Sequence, residues 1–182
     1  MTRLDSEAES RLIETAKDLV PGLIEYIVSY GAELKQRARC VVSDDKEADI
    51  KLDNELFYEA FYIVLHLLDC LIILTLGSYK RSIFMDTIYQ TINDGLLVKG
   101  ALKEDIIEEF NKCQDEYSKF KLFPAKGENS FKDTIHWEFG KKIVSKYGDG
   151  NPATILVISS GVLLTVQVLQ EILESLKLDS FT

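Results

Sequence analysis

Apolar residues recur along this chain at intervals of three and four, which is the period of an α-helix, and no stretch shows the alternation typical of a strand. The first helical run begins at Ser6, which forms a capping box with Glu9, and continues to about residue 38. Pro21 lies inside this run. Because proline cannot donate a backbone hydrogen bond, we expect a kink or a short break there.

The second predicted helix covers about 53–76 and follows an acidic stretch, 43–53, which we interpret as a surface loop. Beyond Glu59 this helix is apolar on almost every side, which is typical of a central helix. Gly77 and Ser78 then predict a helix end. A further helix over about 79–92 is expected to fold back alongside the second helix.

Three more helices are predicted, at about 102–120, 130–147 and 152–176. Ser130, with Asp133 three residues later, indicates the start of the second of these, and Gly148 its end. Asn151 followed by proline predicts the start of the last helix. The pattern therefore predicts an all-α fold, with residues 1–182 forming one domain, a bundle of five or six mostly antiparallel helices.

Composition narrows the possible partners and the compartment. The 182 residues carry a formal net charge of -9, which argues against a nucleic-acid partner, since binding the phosphate backbone needs a basic surface. The three cysteines are far apart and odd in number, as is usual in a reducing compartment. The first residues are acidic and lack the apolar core of a secretory signal. We therefore expect a cytoplasmic protein.

Two apolar segments raise the question of a membrane. Residues 150–170 carry no charge and are about long enough to cross a bilayer core, but several polar side chains interrupt them. The helix at 53–76 contains His66 and Asp69, which are costly groups at a bilayer centre. We interpret both segments as buried core helices, with an oligomer interface as the second interpretation, and predict no membrane partner.

The polar side chains of the central helix lie in one arc of roughly 80° at helical spacing. They are Glu55, Glu59, Tyr62, His66 and Asp69. His66 and Asp69 are three residues apart and could bind one metal ion, with Glu59 as a further ligand or a proton acceptor. The arc could also be the solvent-facing edge of the helix, or His66 and Asp69 could form a buried polar pair that fixes helix register.

The remaining candidate residues are weaker. Asp133 and His136 have the three-residue spacing of His66 and Asp69 in the reverse order. However, Asp133 is expected to belong to the capping box, and His136 is expected to be partly exposed. Cys70 is interpreted as a small buried apolar residue. His66 is expected to be buried, with the neighbouring carboxylates acting on its pKa against the effect of burial.

Two functions follow from these patterns. The first is a non-catalytic helical module that binds a protein partner or a second copy of itself, because two helices are too apolar for simple amphipathic packing. The second is a metal- or small-ligand-binding bundle with its site at Glu59, His66 and Asp69. The patterns do not identify a cofactor.

Overall fold

The computed structural model describes residues 6–40, 45–98, 104–124 and 131–178, and these form an all-α bundle. Its helices are α1 (Ser6–Arg37), α2 (Lys46–Val98), α3 (Glu104–Tyr117), α4 (Ile135–Tyr147) and α5 (Pro152–Ser175). One isolated bridge between Lys121 and Thr134 is the β-type pairing in the described part of the chain. The predicted fold class is confirmed.

Helix α2 is two helices joined at Gly77, where φ is 72° and ψ is 172°. We call residues 46–76 α2a and residues 78–98 α2b. In a straight helix Asp69 and Arg81 would be about 18 Å apart, yet the Arg81 Nε lies 2.5 Å from the Asp69 Oδ1. The chain therefore turns back on itself at Gly77, as the sequence predicts.

Contacts of helix α3 with both α2a and α2b also show the hairpin. The ring of Phe110 lies 6.1 Å from that of Tyr62 in α2a and 5.3 Å from that of Tyr89 in α2b. One side chain can touch both residues only when α2a and α2b are antiparallel neighbours. Phe110 therefore packs over the seam between them.

Helix α2a is the centre of the bundle, because residues 59–68 are buried without interruption. Helix α1 crosses it closely, since a Cβ added to Gly31 would lie 3.2 Å from the Cα of Phe57. Helix α5 runs antiparallel to α1, because the Tyr26 hydroxyl donates to the Thr165 hydroxyl at 2.9 Å whereas Arg37, later in α1, donates to the carbonyl oxygen of Val157, earlier in α5. The prediction that the helix at 53–76 is central is confirmed.

Helix α4 packs against α5 with almost no space between the backbones. A Cβ added to Gly140 would lie 2.9 Å from the carbonyl oxygen of Ile155. The Ser159 hydroxyl donates to the His136 carbonyl oxygen at 3.0 Å. Small residues on both helices thus permit the contact.

Two local predictions in the first half of the chain are wrong. Helix α2 begins at Lys46 rather than near residue 53, because Lys35 of α1 forms ion pairs with Asp49 and Asp53 at 2.8 and 2.7 Å and holds this acidic stretch in the helix. Helix α1 continues through Pro21, so the predicted break is absent, whereas the alternative of a kink there stays a prediction. Pro21 is exposed, so solvent can satisfy the carbonyl oxygen that the proline leaves unpaired.

Of the two predicted helix starts in the second half of the chain, that of α5 is confirmed and that of α4 is wrong. Asn151 caps α5 as predicted, its side-chain oxygen accepting from the Ala153 N–H at 2.9 Å. Helix α4 is capped by Thr134, whose hydroxyl accepts from the Trp137 N–H. Ser130 lies outside the described residues. Asp133 precedes the cap with φ 62°, so it is not the third helical residue of a capping box.

Replacing Gly77 with alanine should destabilise the protein by about 1–3 kcal/mol, because its left-handed φ strains any residue with a Cβ. Gly22→Ala is the matched control. A Cβ meets nothing within 4 Å at either position, but Gly22 lies inside α1, where alanine should stabilise by up to about 1 kcal/mol. Urea denaturation measures both changes, and equal effects would contradict a strained turn.

Candidate functional site

The predicted site residues lie on α2a, and each has partners on a different helix. We call Glu59, His66 and Asp69 the polar seam. Glu59 is 4% exposed and His66 is 8% exposed, so the seam is not the solvent-facing edge of the helix. Its chemistry depends on the groups that the neighbouring helices bring to it.

Glu59 is bound by α4. Its Oε2 lies 2.7 Å from the Lys142 Nζ, and its Oε1 lies 3.4 Å from the Lys146 Nζ and accepts from the Tyr147 hydroxyl at 3.2 Å. Burial works against the charged form of Lys142, but the Glu59 carboxylate outweighs it, so the pKa of Lys142 is raised. Glu59 therefore anchors α4 to the central helix as the buried half of an ion pair.

His66 is bound by α3. Its Nδ1 lies 2.6 Å from the Gln114 Oε1, and the Gln114 amide is oriented by donating from Nε2 to the Tyr62 carbonyl oxygen at 3.3 Å. The Gln114 oxygen therefore faces the ring, so Nδ1 carries the hydrogen. That leaves the lone pair of Nε2 directed at the Cys70 Sγ, 3.6 Å away.

The pKa of His66 is lowered from its ordinary value. Burial is the main cause, and the Gln114 hydrogen bond and the Asp69 charge oppose it without reversing it. The predicted burial of His66 is confirmed. The predicted influence of a carboxylate is present but is outweighed by burial, so the neutral imidazole is favoured.

Asp69 is bound by α2b. Its two carboxylate oxygens accept from the Nε and Nη2 of Arg81, and both side chains are partly exposed. The alternative in which His66 and Asp69 pair with each other is therefore wrong. Asp69 instead holds the two arms of the α2 hairpin together beside the turn.

A metal site built from the polar seam gains no support from this geometry. The described residues contain no group of three or more His, Cys, Asp or Glu side chains placed to hold a metal ion. Glu59, His66 and Asp69 are instead divided among three separate partners. Metal binding by these residues stays a prediction.

The second histidine differs from its predicted environment. His136 is buried, not partly exposed, because its face of α4 packs under the 120–124 segment, where the Phe123 ring lies 6.2 Å away. Burial lowers its pKa, and the nearby Leu122 backbone opposes this without reversing it. Asp133 precedes the helix, so the two do not share a helix face.

Sequence reasoning missed the roles of Cys70, Gln114 and Arg81. Cys70 is half-buried rather than fully buried and lies against His66. The spacing of four residues between His66 and Cys70 on one helix is a local signal that could have found this contact. Gln114 and Arg81 lie on other elements, and no local pattern links them to the seam.

A cleft of about 530 Å³ lies between α3, α4 and the start of α5, and is large enough for a small molecule. Its charged lining residues are Glu116, Glu138, Lys141 and Lys142. Lys141 is paired with Glu138 at 2.6 Å, and Lys142 is paired with Glu59. The opposite charges largely neutralise each other, so the cleft has no strong preference for an anion or a cation.

The outer face of α5 is the second candidate site. Its exposed apolar side chains are Leu156 (51% exposed), Val157 (48%) and Leu164 (51%). At helical spacing these residues, with exposed Ser160 between them, lie within an arc of about 100°. They form one continuous surface that faces away from α1 and α4.

Two helices in the described part of the chain are long and apolar enough to cross a membrane. In α2 the most apolar window is 67% buried inside the bundle, whereas in α5 it is 44% buried. The central helix is therefore explained by packing in the core. Much of α5 is not.

Comparison with protein-family models, curated proteins and solved structures finds no match to this chain.

Replacing Glu59 with leucine should cost about 3 kcal/mol, because it leaves the Lys142 ammonium partly buried without its carboxylate. Adding Lys142→Met to this variant should recover much of the loss. Lys146→Met, at a mostly exposed side chain, should cost less than about 1 kcal/mol. Chemical denaturation of these three variants, of Lys142→Met alone and of the wild type measures the coupling, and strictly additive losses from Glu59→Leu and Lys142→Met would contradict a buried ion pair.

The free energy of unfolding should fall as pH drops below about 6.5, because both buried histidines have lowered pKa values and the unfolded state then binds more protons. Each histidine contributes a slope of up to about 1.4 kcal/mol per pH unit. Denaturation at pH 7.5 and 5.5 should show a smaller difference in His66→Asn and in His136→Asn. An unchanged difference in both would contradict this origin.

Proposed function

We propose that the protein is a non-catalytic helical module that associates with a second copy of itself through the outer face of α5. The observation that carries this proposal is the continuous exposed apolar surface of Leu156, Val157 and Leu164. Soluble proteins usually cover such a surface with a partner. Symmetric dimers are the commonest arrangement of identical chains.

The charge distribution favours a second copy as the partner. The chain has a net charge of -9, but residues 150–170 carry no charge. Two acidic molecules repel each other over most of their surface, so a neutral face is where they can meet at the lowest electrostatic cost. A basic partner would instead be attracted to the acidic surface elsewhere.

The spacing on the outer face is self-complementary. Leu156 and Leu164 are each four residues from Ser160. A two-fold axis through Ser160 would pair antiparallel α5 helices, placing Leu156 of one copy against Leu164 of the other. The small Ser160 side chain at the axis would let the two helices approach closely.

A polar border supports the same interface. The Arg37 Nη1 donates to the Val157 carbonyl oxygen at 3.2 Å, and Arg37 is paired with Glu33. These groups lie where α1 meets the outer face of α5. An apolar centre with a polar rim is the usual composition of a protein interface.

Replacing Leu164 with glutamate should weaken self-association by at least about tenfold in Kd, because the symmetric contact is present twice. Sedimentation equilibrium over a concentration series measures the effect, with circular dichroism as the check on folding. Ile50→Glu is the matched control, since Ile50 is an apolar residue on α2a that is at least as exposed as Leu164. It should associate like the wild type.

The position of the axis has its own test. In a Cys70→Ser background, Ser160→Cys should form a disulfide-linked dimer under mild oxidation, whereas Gln167→Cys, two turns further along the same face, should not. Cross-linking at both positions or at neither would contradict the two-fold axis. A wild-type chain that stays monomeric at high micromolar concentration but binds lipid vesicles would overturn self-association in favour of a membrane surface.

A further inference from the structure

Cys70, His66 and Gln114 form a continuous chain of contacts. Gln114 accepts from the His66 Nδ1, and the His66 Nε2 faces the Cys70 Sγ. This is a nucleophile, a base and a group that orients the base, in the order required for nucleophile activation. We propose that Cys70 is a covalent modification site that adds to uncharged α,β-unsaturated carbonyl compounds, with His66 accepting the thiol proton.

The orientation of the imidazole is determined by groups on two helices. The Gln114 side chain spans from the His66 ring to the Tyr62 carbonyl oxygen and so cannot present its NH₂ group to Nδ1 without losing that bond. The edge-on ring of Tyr117, 5.5 Å from the His66 ring, packs against its side. The basic nitrogen is therefore held towards Cys70 before any ligand arrives.

Cys70 differs from the other two cysteines in its exposure to solvent. Cys40 and Cys113 are buried, and Cys70 is half-buried. Cys113 has a cationic neighbour, the Lys142 Nζ at 3.7 Å, but its burial keeps reagents away. Cys70 combines a neighbouring base with partial exposure, and the buried Cys113 provides an internal control.

The charges around Cys70 favour an uncharged reagent. Asp69 on the same helix is paired with Arg81 of α2b, so these two charges largely cancel. Among the described residues, Asp69 and Arg81 are the charged groups that act on Cys70, and Asp86 of α2b acts on Arg81 and Tyr89 instead. The phenols of Tyr117 and Tyr89 also lie nearby, and burial raises the pKa of both, which keeps them neutral. The site therefore has no net charge with which to attract an ion.

The protons and electrons balance within the site. Burial raises the pKa of the Cys70 thiol to about 11, so only about one molecule in 10⁴ carries a free thiolate at pH 7. As the Cys70 Sγ bonds to the β-carbon of the reagent, its proton moves to the His66 Nε2. The imidazolium then returns that proton to the α-carbon, so the addition needs no oxidant and releases no leaving group.

The test is the rate of acrylamide addition to Cys70 in the folded full chain, followed by peptide mass spectrometry. In the wild type we expect a rate that falls as pH drops through the lowered pKa of His66. In His66→Asn we expect at least a tenfold slower rate at pH 7. In that variant the rate should rise tenfold per pH unit, as for an unassisted thiolate.

Gln114→Met provides a second variant in case His66→Asn does not fold. It keeps the base but removes the group that orients it, so Cys70 should react about three- to tenfold more slowly at pH 7. Acrylamide addition to buried Cys113 reports unfolding in every variant. Equal Cys70 rates and pH profiles in wild type and both variants, or faster reaction in the variants, would overturn the proposal.

Discussion

A polar side chain on a helix that lies at the centre of a bundle must obtain a partner from a neighbouring element, and the arrangement of this bundle follows from that constraint. Glu59 and His66 of the polar seam lie within residues 59–68 of α2a, which are all buried, and Asp69, which follows this stretch, is partly exposed. Glu59 is met by α4, His66 by α3 and Asp69 by α2b. Because an unpaired buried polar group costs more than a hydrogen bond contributes, each contact also selects the position of one helix.

The sequence predicts the features that are set by residues close together in the chain. The hairpin at Gly77 and the cap at Asn151 depend on a few adjacent residues, and both are predicted correctly. The partners of the polar seam are not predicted, because they lie far away in the sequence. Gln114 is 48 positions from His66, and Lys142 is 83 positions from Glu59. The two carboxylates thus look like metal ligands until the cations of other helices are placed beside them.

Local signals also fail where tertiary contacts override them. The acidic stretch near position 50 is typical of a surface loop. It is helical here because Lys35 of α1 forms ion pairs with two of its carboxylates. Pro21 predicts a break, but it lies on the solvent side of α1, where an unpaired carbonyl oxygen costs little. In both places the neighbouring surface, rather than the local residues, decides the outcome.

The polar side chains of α2a make two kinds of contact, one with a cation from another helix and one between neutral groups. Glu59 and Asp69 are charged where another helix supplies a cation, Lys142 or Arg81. His66 and Cys70 have no such cation in direct contact among the described residues, and burial shifts both of their pKa values towards the neutral form. A neutral thiol and a neutral imidazole can share one proton without placing a charge in the core. The burial that makes α2a the centre of the fold therefore also makes this pair a hydrogen-bonded couple rather than an ion pair.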